Sequence, residues 1–140
     1  MSVFIDASAL VSYFVTDALS DRVADWFASS TGPIRVSRWA VAEFSSALGA
    51  RRRAGSLTDT ESEEAESALD QWLEAGVELV DISAADFELA RRLIRSDRIV
   101  AKAADALHVA IAVRFGAGLV SLDAQMRRAA EALGLIVQPD

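Results

Sequence analysis

Residues 103–121, AADALHVAIAVRFGAGLVS, decide the fold class of this chain. Apolar side chains lie on almost every face of a helix formed by residues 103–115, so we predict a helix that is buried on most sides. A short strand-like run, residues 118–121, follows it directly. A buried helix joined by a glycine-containing turn to a strand is typical of a domain in which helices cover a sheet.

Working outward from this stretch, short apolar runs alternate with amphipathic segments along the chain. We predict strands at residues 3–5, 34–37, 77–80, 118–121 and 135–137. We predict helices at residues 9–15, 23–28 with Ser20 as N-cap, 38–54 ended by Gly55, 83–95, 103–115 and 124–133, and an acidic helix from Thr58 to Gly76. This alternation predicts one α/β domain over residues 1–140, with three layers (α/β/α) around a mostly parallel sheet.

The composition favours a globular protein of a reducing compartment. The chain has 140 residues, 52% of them hydrophobic, and no cysteine, so disulfides and thiolate metal sites are excluded. The first six residues lack the basic start of a secretory signal, and no run approaches about 18 uncharged apolar residues. We therefore expect a cytoplasmic protein without a membrane segment.

The formal net charge of −7 comes from one segment of the chain. Without that segment the remaining residues would be slightly positive, and Arg51, Arg52 and Arg53 directly precede it. This distribution permits a polyanionic partner but does not by itself argue for one, because charge runs are usually solvated helix surface. The acids of the segment are Asp59, Glu61, Glu63, Glu64, Glu66, Asp70, Glu74 and Glu78.

Two aspartates follow predicted strands. Asp6 comes directly after the first strand, and Asp123 lies two residues beyond the strand at 118–121. In a parallel sheet both would lie at the edge formed by the carboxyl ends of the strands, where ligand sites occur. Each is equally well interpreted as the N-cap of the helix that follows.

Glu43 lies in the middle of the predicted helix at 38–54. On a helical wheel it borders the apolar side, near Trp39 and Ala47, and no Lys or Arg stands three or four residues away to pair with it. A glutamate on a solvated face would lie opposite the core, so we interpret Glu43 as a candidate site residue.

Asp105 is the most informative single residue. It opens or lies inside the apolar helix at 103–115, and a buried carboxylate must be capped, paired, protonated or bound to a cation. His108, one turn further on, is the only histidine, so a catalytic zinc site is improbable and we interpret His108 as a packed or weakly paired ring.

The four acids can converge at one edge of the sheet. Carboxylate-only clusters suit Mg²⁺ or Mn²⁺, and unneutralised they would repel one another and have raised pKa values. One or two such ions would activate water and stabilise an in-line phosphodiester displacement. We therefore predict a catalytic metal site of Asp6, Glu43, Asp105 and Asp123.

Four short motifs around these acids resemble PIN domains. Residues 4–10 (FIDASAL) resemble the opening of the family, and residues 42–48 (AEFSSAL) resemble its helix glutamate motif. Residues 104–110 (ADALHVA) are similar to the Ala-Asp-Ala-Leu-His motif of the VapC subgroup, and residues 120–123 (VSLD) to its final strand motif. The motifs occur in the family's order and spacing over nearly the whole chain.

This resemblance implies a PIN-like fold and a Mg²⁺- or Mn²⁺-dependent endoribonuclease, the toxin of a VapBC-type toxin–antitoxin pair. It implies a homodimer that a VapB-type antitoxin silences, and hydroxyls of Ser8 and Ser121 near the substrate phosphate or a metal-bound water. Some members carry another acid shortly after the last Asp, where Gln125 and Met126 stand here. That departure puts a tightly held second metal ion in doubt.

Proximity in sequence suggests substrate contacts as well. Arg38, Arg98 and Lys102 lie close in sequence to Glu43 or Asp105, so we expect some of them to contact RNA phosphates and select Arg38 and Lys102 as candidate ligands, with ordinary surface charge equally open for each.

Other interpretations of the first aspartate are weaker. A haloacid-dehalogenase-type phosphatase needs a second Asp where Ser8 stands, and a receiver domain needs a Lys at a late strand end, whereas Lys102, the only lysine, precedes a helix. The remaining alternative is a non-catalytic PIN-like module that binds RNA or protein. The four acids argue against it, because a binding site for a polyanion would gain by losing them.

Overall fold

A computed structural model describes all residues, 1–140. Five short strands alternate with seven helices. The strands are β1 Val3–Ile5, β2 Ile34–Ser37, β3 Glu78–Val80, β4 Gly118–Val120 and β5 Val137–Gln138. The helices are α1 Ala7–Phe14, α2 Ser20–Ser29, α3 Arg38–Arg53, α4 Asp59–Glu74, α5 Ala84–Arg95, α6 Ala103–Phe115 and α7 Ala124–Ala132.

All five strands form one parallel sheet in the order β3-β2-β1-β4-β5. The central strand β1 pairs with β2 on one side and with β4 on the other, so that Ile5 stands beside Val36 and Val120. The residues that follow β1, β2 and β4 therefore emerge at the same edge. The predicted α/β class is confirmed, and the sheet is parallel throughout.

Two hydrophobic clusters cover the two faces of the sheet. One packs α5, α6 and α7 against Phe4 and Leu119. The other packs α1, α3 and α4 against Val3, Ile5 and Val120. Consecutive strand residues point to opposite faces, so β1 contributes to both clusters and the layers are α/β/α.

Local capping explains where the main helices begin and end. Thr58 and Glu61 form the predicted capping box of α4, with Glu61 N donating to Thr58 Oγ1 at 3.1 Å and Thr58 N donating to Glu61 Oε1 at 3.0 Å. Gly116 ends α6 at φ +59°, a left-handed conformation that glycine adopts without steric cost. The sharp end lets the chain turn directly from the buried helix into β4.

Two local predictions were wrong. Ser20 is the first residue of α2 and Leu19 is its N-cap, because the Ser20 hydroxyl is used by the preceding loop, where it accepts from Asp17 N at 2.8 Å. The last strand begins at Val137 and not at residue 135, because Leu135 N donates to Ala130 O and thereby belongs to the end of α7.

None of the seven helices has both the length and the hydropathy needed to cross a bilayer.

Candidate active site

Asp6 is the most enclosed member of the predicted site, with 1% of its surface exposed. It follows β1 and its backbone N–H donates to Val120 O of the neighbouring strand. Burial raises the pKa of its carboxyl. This rise is offset only in part by hydrogen bonds from Ser121, the Ala9 backbone and Ser8, and by the charge of His108. The carboxylate is thus held in a dry position, and no Lys or Arg of the protein forms an ion pair with it.

Two serines hold the Asp6 carboxylate in place. Ser8 Oγ donates to Oδ1 at 2.7 Å, and Ser121 Oγ donates to Oδ2 at 2.5 Å. Each hydroxyl is itself oriented by a backbone donor, Leu122 N for Ser8 at 2.9 Å and Asp123 N for Ser121 at 3.1 Å. The side chains predicted to lie near phosphate or water therefore contact Asp6, and the chain after β4 is tied to the chain after β1.

Both strand-end aspartates also cap helices. Asp6 Oδ1 accepts from Ala9 N at 3.0 Å at the start of α1, and Asp123 Oδ1 accepts from Met126 N at 2.8 Å at the start of α7. The two interpretations left open by the sequence are therefore compatible. Capping fixes Oδ1 of Asp123 at the helix. The other oxygen, Oδ2, takes no part in the cap, and Asp123 is exposed.

Asp105 lies in the first turn of α6 and is half-buried. It is not the N-cap of this helix, a position that Lys102 occupies without a side-chain hydrogen bond. Burial raises the pKa of Asp105 most, the negative charge of Asp123 raises it next, and Glu43 and Asp6 add to the shift against the opposing effect of His108. The other three acids predicted from the sequence therefore lie near enough to Asp105, at the carboxyl edge of the sheet, to raise its pKa.

Glu43 of α3 is half-buried, and its side chain bonds to a helix that covers the opposite face of the sheet. Its Oε1 contacts Nε2 of His108, which is 5% exposed. Because a carboxylate only accepts, Nε2 carries the proton of this bond. His108 is thereby a paired ring, and it fixes the direction in which the Glu43 carboxylate points.

The acids do not already form a closed metal cage. No three Asp, Glu or His side chains converge closely enough to hold an ion in this conformation. Glu43 is turned towards His108, and Asp123 towards its own helix. The four acids nevertheless fit a hard divalent cation, because they offer only carboxylate oxygens as ligands. The pKa values of Asp6 and Asp105 are raised, and none of the four acids forms an ion pair with Lys or Arg.

A cleft of about 490 Å³ opens beside the cluster, between α1 and α3. The end nearest the acids contains Ser8, Glu43 and Asp123, and the opposite end contains Asp17 and Arg51. The cleft gives a ligand from solvent access to two of the four carboxylates. It also contains the cationic side chain of Arg51, which the sequence did not identify as part of a site.

The two predicted phosphate ligands lie outside this cleft. Arg38 begins α3, is largely exposed, and forms an ion pair with Asp81 at 2.8 Å. Lys102 is exposed at the start of α6, three residues before Asp105. Their roles toward RNA stay predictions.

Comparisons with known proteins agree with this fold. VapC20 from Mycobacterium tuberculosis, described as a toxin that cleaves the sarcin-ricin loop, is similar with a TM-score of 0.73 and 23% identity, over 98% of this chain and 99% of that chain. VapBC2 from Rickettsia felis, solved on a DNA fragment from its promoter, has a TM-score of 0.70 and 18% identity over 99% and 98% of the two chains. FitAcB from Neisseria gonorrhoeae has a TM-score of 0.68 and 16% identity over 98% and 96%.

At these identities the structural likeness establishes the fold. No curated protein sequence matches the chain significantly. The model of the PIN domain family matches residues 3–132, a span that includes all four acids. The chain therefore belongs to the PIN domain family.

Proposed function

We propose that this protein is a Mg²⁺- or Mn²⁺-dependent endoribonuclease and the toxin of a VapBC-type toxin–antitoxin pair. One observation carries the proposal. Asp105 lies at the carboxyl edge of the sheet, where Asp123, Glu43 and Asp6 from separate parts of the chain raise its pKa, and none of the four acids forms an ion pair with a Lys or Arg. Such a cluster is costly in the free protein and becomes favourable when it binds cations.

Asp6, Glu43, Asp105 and Asp123 would hold the metal. A bound divalent ion supplies activated water and stabilises the charge that develops on phosphodiester oxygens. The rest of the site holds these ligands: Ser8 and Ser121 orient Asp6, and His108 orients Glu43. Hydrogen-bonded partners of this kind tune the affinity of a metal site.

The structural neighbours support the biological role. The M. tuberculosis neighbour is described as a toxin that cleaves the sarcin-ricin loop, and the R. felis neighbour is VapBC2 bound to a DNA fragment from its promoter. By the same reasoning we propose a VapB-type antitoxin as the protein partner and a homodimer as the assembled form of the toxin.

A ribonuclease assay tests this function. Purified protein is incubated with RNA in Mg²⁺ or Mn²⁺, with EDTA, and with the metal restored after EDTA. We expect cleavage with either metal, none with EDTA, and recovery on restoration. Cleavage that persists both in EDTA and in the Asp6→Asn variant would contradict the proposal, and RNA binding without cleavage would favour a non-catalytic PIN-like module.

Arg38 and Lys102 are proposed as secondary phosphate contacts. Loss of a true phosphate contact lowers the slope of log affinity against log salt by about 0.7 for single-stranded RNA. Arg38→Met and Lys102→Met would each be measured against this value, and a variant with an unchanged slope is removed from the substrate-binding set.

A further inference from the structure

The residue that follows β4 holds the Asp6 carboxylate, and its own backbone is fixed from the side of β5. Ser121 is fully buried, and its hydroxyl donates to Asp6 Oδ2 at 2.5 Å. Its backbone N–H donates to Gln138 O at 3.0 Å, which extends the pairing of β4 with β5. Because β5 ends at Gln138, the Ser121 carbonyl needs a donor from elsewhere in the chain.

Arg127 of α7 supplies that donor. Its Nη1 donates to Ser121 O at 2.7 Å and to Gln138 O at 3.1 Å, and its Nη2 donates to Pro139 O at 2.8 Å. The planar guanidinium therefore joins the residue after β4 to the end of β5 in one fixed geometry. Both backbone polar groups of Ser121 are thereby held, the N–H by Gln138 and the C=O by Arg127. This sets the direction of the Ser121 side chain.

Arg127 differs from the other half-buried arginines in what it contacts. Arg35 lies against Glu78 at 2.6 Å and Arg51 lies against Asp17 at 3.6 Å, so each pairs with an acid. Arg127 forms no ion pair, although the chain has 21 acidic residues, and its hydrogen bonds all go to backbone oxygens. Its role is therefore to hold carbonyl groups, not to neutralise a carboxylate.

The serine that Arg127 fixes is connected to two of the four acids. Besides donating to Asp6, Ser121 Oγ accepts from the backbone N–H of Asp123 at 3.1 Å. Asp123 caps α7, and Arg127 lies one turn further along this helix, where its own N–H donates to Asp123 O at 2.9 Å. A displacement of Ser121 would therefore move one acid by its side chain and the other by its backbone.

We propose that Arg127 is a positioning residue of the metal site, which fixes the backbone of Ser121 so that the serine holds Asp6 and Asp123 in the geometry that a divalent cation needs. The inference rests on the proposed function and adds a residue that acts only through Ser121. The competing account is that Arg127 merely fastens residues 137–140 to α7. Arg22 separates the two accounts, because it is exposed and donates to Pro139 O at 3.1 Å without contacting Ser121.

The first test is the affinity for Mn²⁺, measured by calorimetric titration without RNA. Arg127→Met should weaken binding about tenfold, the lower end of the range for groups that support metal ligands. Loss of a positive charge alone would strengthen cation binding, so the sign separates positioning from electrostatics. Two controls should stay within about twofold of wild type. Arg128→Met removes the same charge from an exposed neighbour, and Arg22→Met removes bonds to the same terminal segment.

Two further readouts show whether the effect passes through Ser121. In the Ser121→Ala background, Arg127→Met should change the Mn²⁺ affinity by less than about twofold, because the hydroxyl that Arg127 positions is absent. In nitrogen–proton correlation spectra of the metal-free protein, the Ala9 amide reports on Asp6, since it donates to Asp6 Oδ1. Its signal should shift in Arg127→Met and keep its position in Arg22→Met and Arg128→Met.

Unchanged Mn²⁺ affinity in Arg127→Met, an equal loss in Arg22→Met, or additive losses in the double variant would overturn the inference. If Arg127→Met does not fold, Arg127→Lys takes its place. Lysine keeps the charge but lacks the planar fork, so the Ala9 amide should still shift, and an unshifted signal would overturn the inference.

The ribonuclease proposal and this inference can fail separately. If Arg127 proves irrelevant while RNA is cut in Mn²⁺, the ribonuclease proposal stands and the positioning role is rejected. If the wild-type protein binds no Mn²⁺, both proposals fail.

Discussion

Asp6 and Asp86 each have only 1% of their surface exposed, and their hydrogen-bond partners differ. Asp86 receives two hydrogen bonds from Arg114, at 2.7 and 2.9 Å, and one from Ser83 N at 2.8 Å. Burial raises the pKa of Asp86, but the Arg114 bonds and the Ser83 N–H outweigh it and lower the pKa below its ordinary value. Asp6 receives only neutral donors, and its pKa is raised.

The difference separates a structural carboxylate from a functional one. Where a buried acid serves the fold, the chain supplies the cation itself, and Asp86 joins α5 to α6 through Arg114. Where the acid is left without a cation, stability is given up for a site that an external ion can complete. Every prediction below either tests this distinction or refines it.

The largest effect is expected for catalysis. Asp6→Asn keeps the shape of the side chain but removes the charge that would hold a metal ion. Several kcal/mol of transition-state stabilisation by the metal correspond to roughly a thousandfold loss of cleavage rate. Asp86→Asn makes the same chemical change outside the site and should retain most of the rate per folded molecule. Equal losses in the two variants, measured by initial rates on one RNA, would break the comparison.

Asp86→Asn should instead affect stability. It leaves the Arg114 guanidinium, whose side chain is 32% exposed, without its carboxylate, and loss of such charged hydrogen bonds costs about 2 kcal/mol. Urea denaturation followed by tryptophan fluorescence measures the change in the free energy of unfolding. A change below about 0.5 kcal/mol, the usual scale of surface substitutions, would show that Asp86 is no structural counterpart of Asp6.

His108 should act on metal affinity through Glu43. His108→Leu removes the donor to Glu43 Oε1 at similar size, and loss of such a supporting bond lowers metal affinity roughly 10–100-fold. His108→Gln places an amide N–H near the position of Nε2 and should recover much of the affinity. Calorimetric titration with Mn²⁺ checks both variants. Equal affinity in the wild type and the Leu variant would remove His108 from the site.

The smallest effect is the pH dependence of stability without metal. Because the pKa of Asp6 is raised above 3.8, its contribution to stability is full below that pH and is lost as pH rises through the folded-state pKa. In EDTA at pH 7, Asp6→Asn should therefore be more stable than wild type by about 1 kcal/mol. The gain should shrink towards pH 4.

Asp86 provides the control of opposite sign. Its lowered pKa stabilises the protein above 3.8 and loses that contribution as pH falls through the folded-state value. Urea denaturation of Asp6→Asn and Asp86→Asn between pH 4 and pH 8 would therefore give differences from wild type of opposite direction at neutral pH. If Asp6→Asn changed the free energy of unfolding by the same amount at every pH, the raised pKa of Asp6 would be contradicted.

Much of the site could be predicted because topology places it. Asp6 and Asp123 follow short apolar runs, and parallel strands necessarily bring their carboxyl ends to one edge. Glu43 and Asp105 were identifiable because each is a carboxylate on or beside an apolar helix surface, and Glu43 has no Lys or Arg three or four residues away. Each of these signals is local in the sequence. The parallel sheet then brings the four acids near one another in space.

The pairings between helices could not be predicted in the same way. His108 and Glu43 are separated by 65 positions, and a helical wheel gives the side of a residue but not its partner on another helix. In the sequence Asp86 and Arg114 look like ordinary surface charges, so the burial of Asp86 and its pairing with Arg114 became apparent only from the packing of α5 on α6. Arg51 lies within a run of three arginines, and only the structure distinguishes it from Arg53, by its position in the cleft, its partial burial and its ion pair with Asp17.

Anomalous scattering from a crystal of the wild-type protein grown with Mn²⁺ tests the central claim most directly. A difference peak bounded by Asp6 and Asp105 is predicted, with Glu43 or Asp123 completing the ligands and no peak at the Arg114-paired Asp86. If millimolar Mn²⁺ leaves no density at the carboxyl edge of the sheet, these acids do not form a cation site and the account is contradicted.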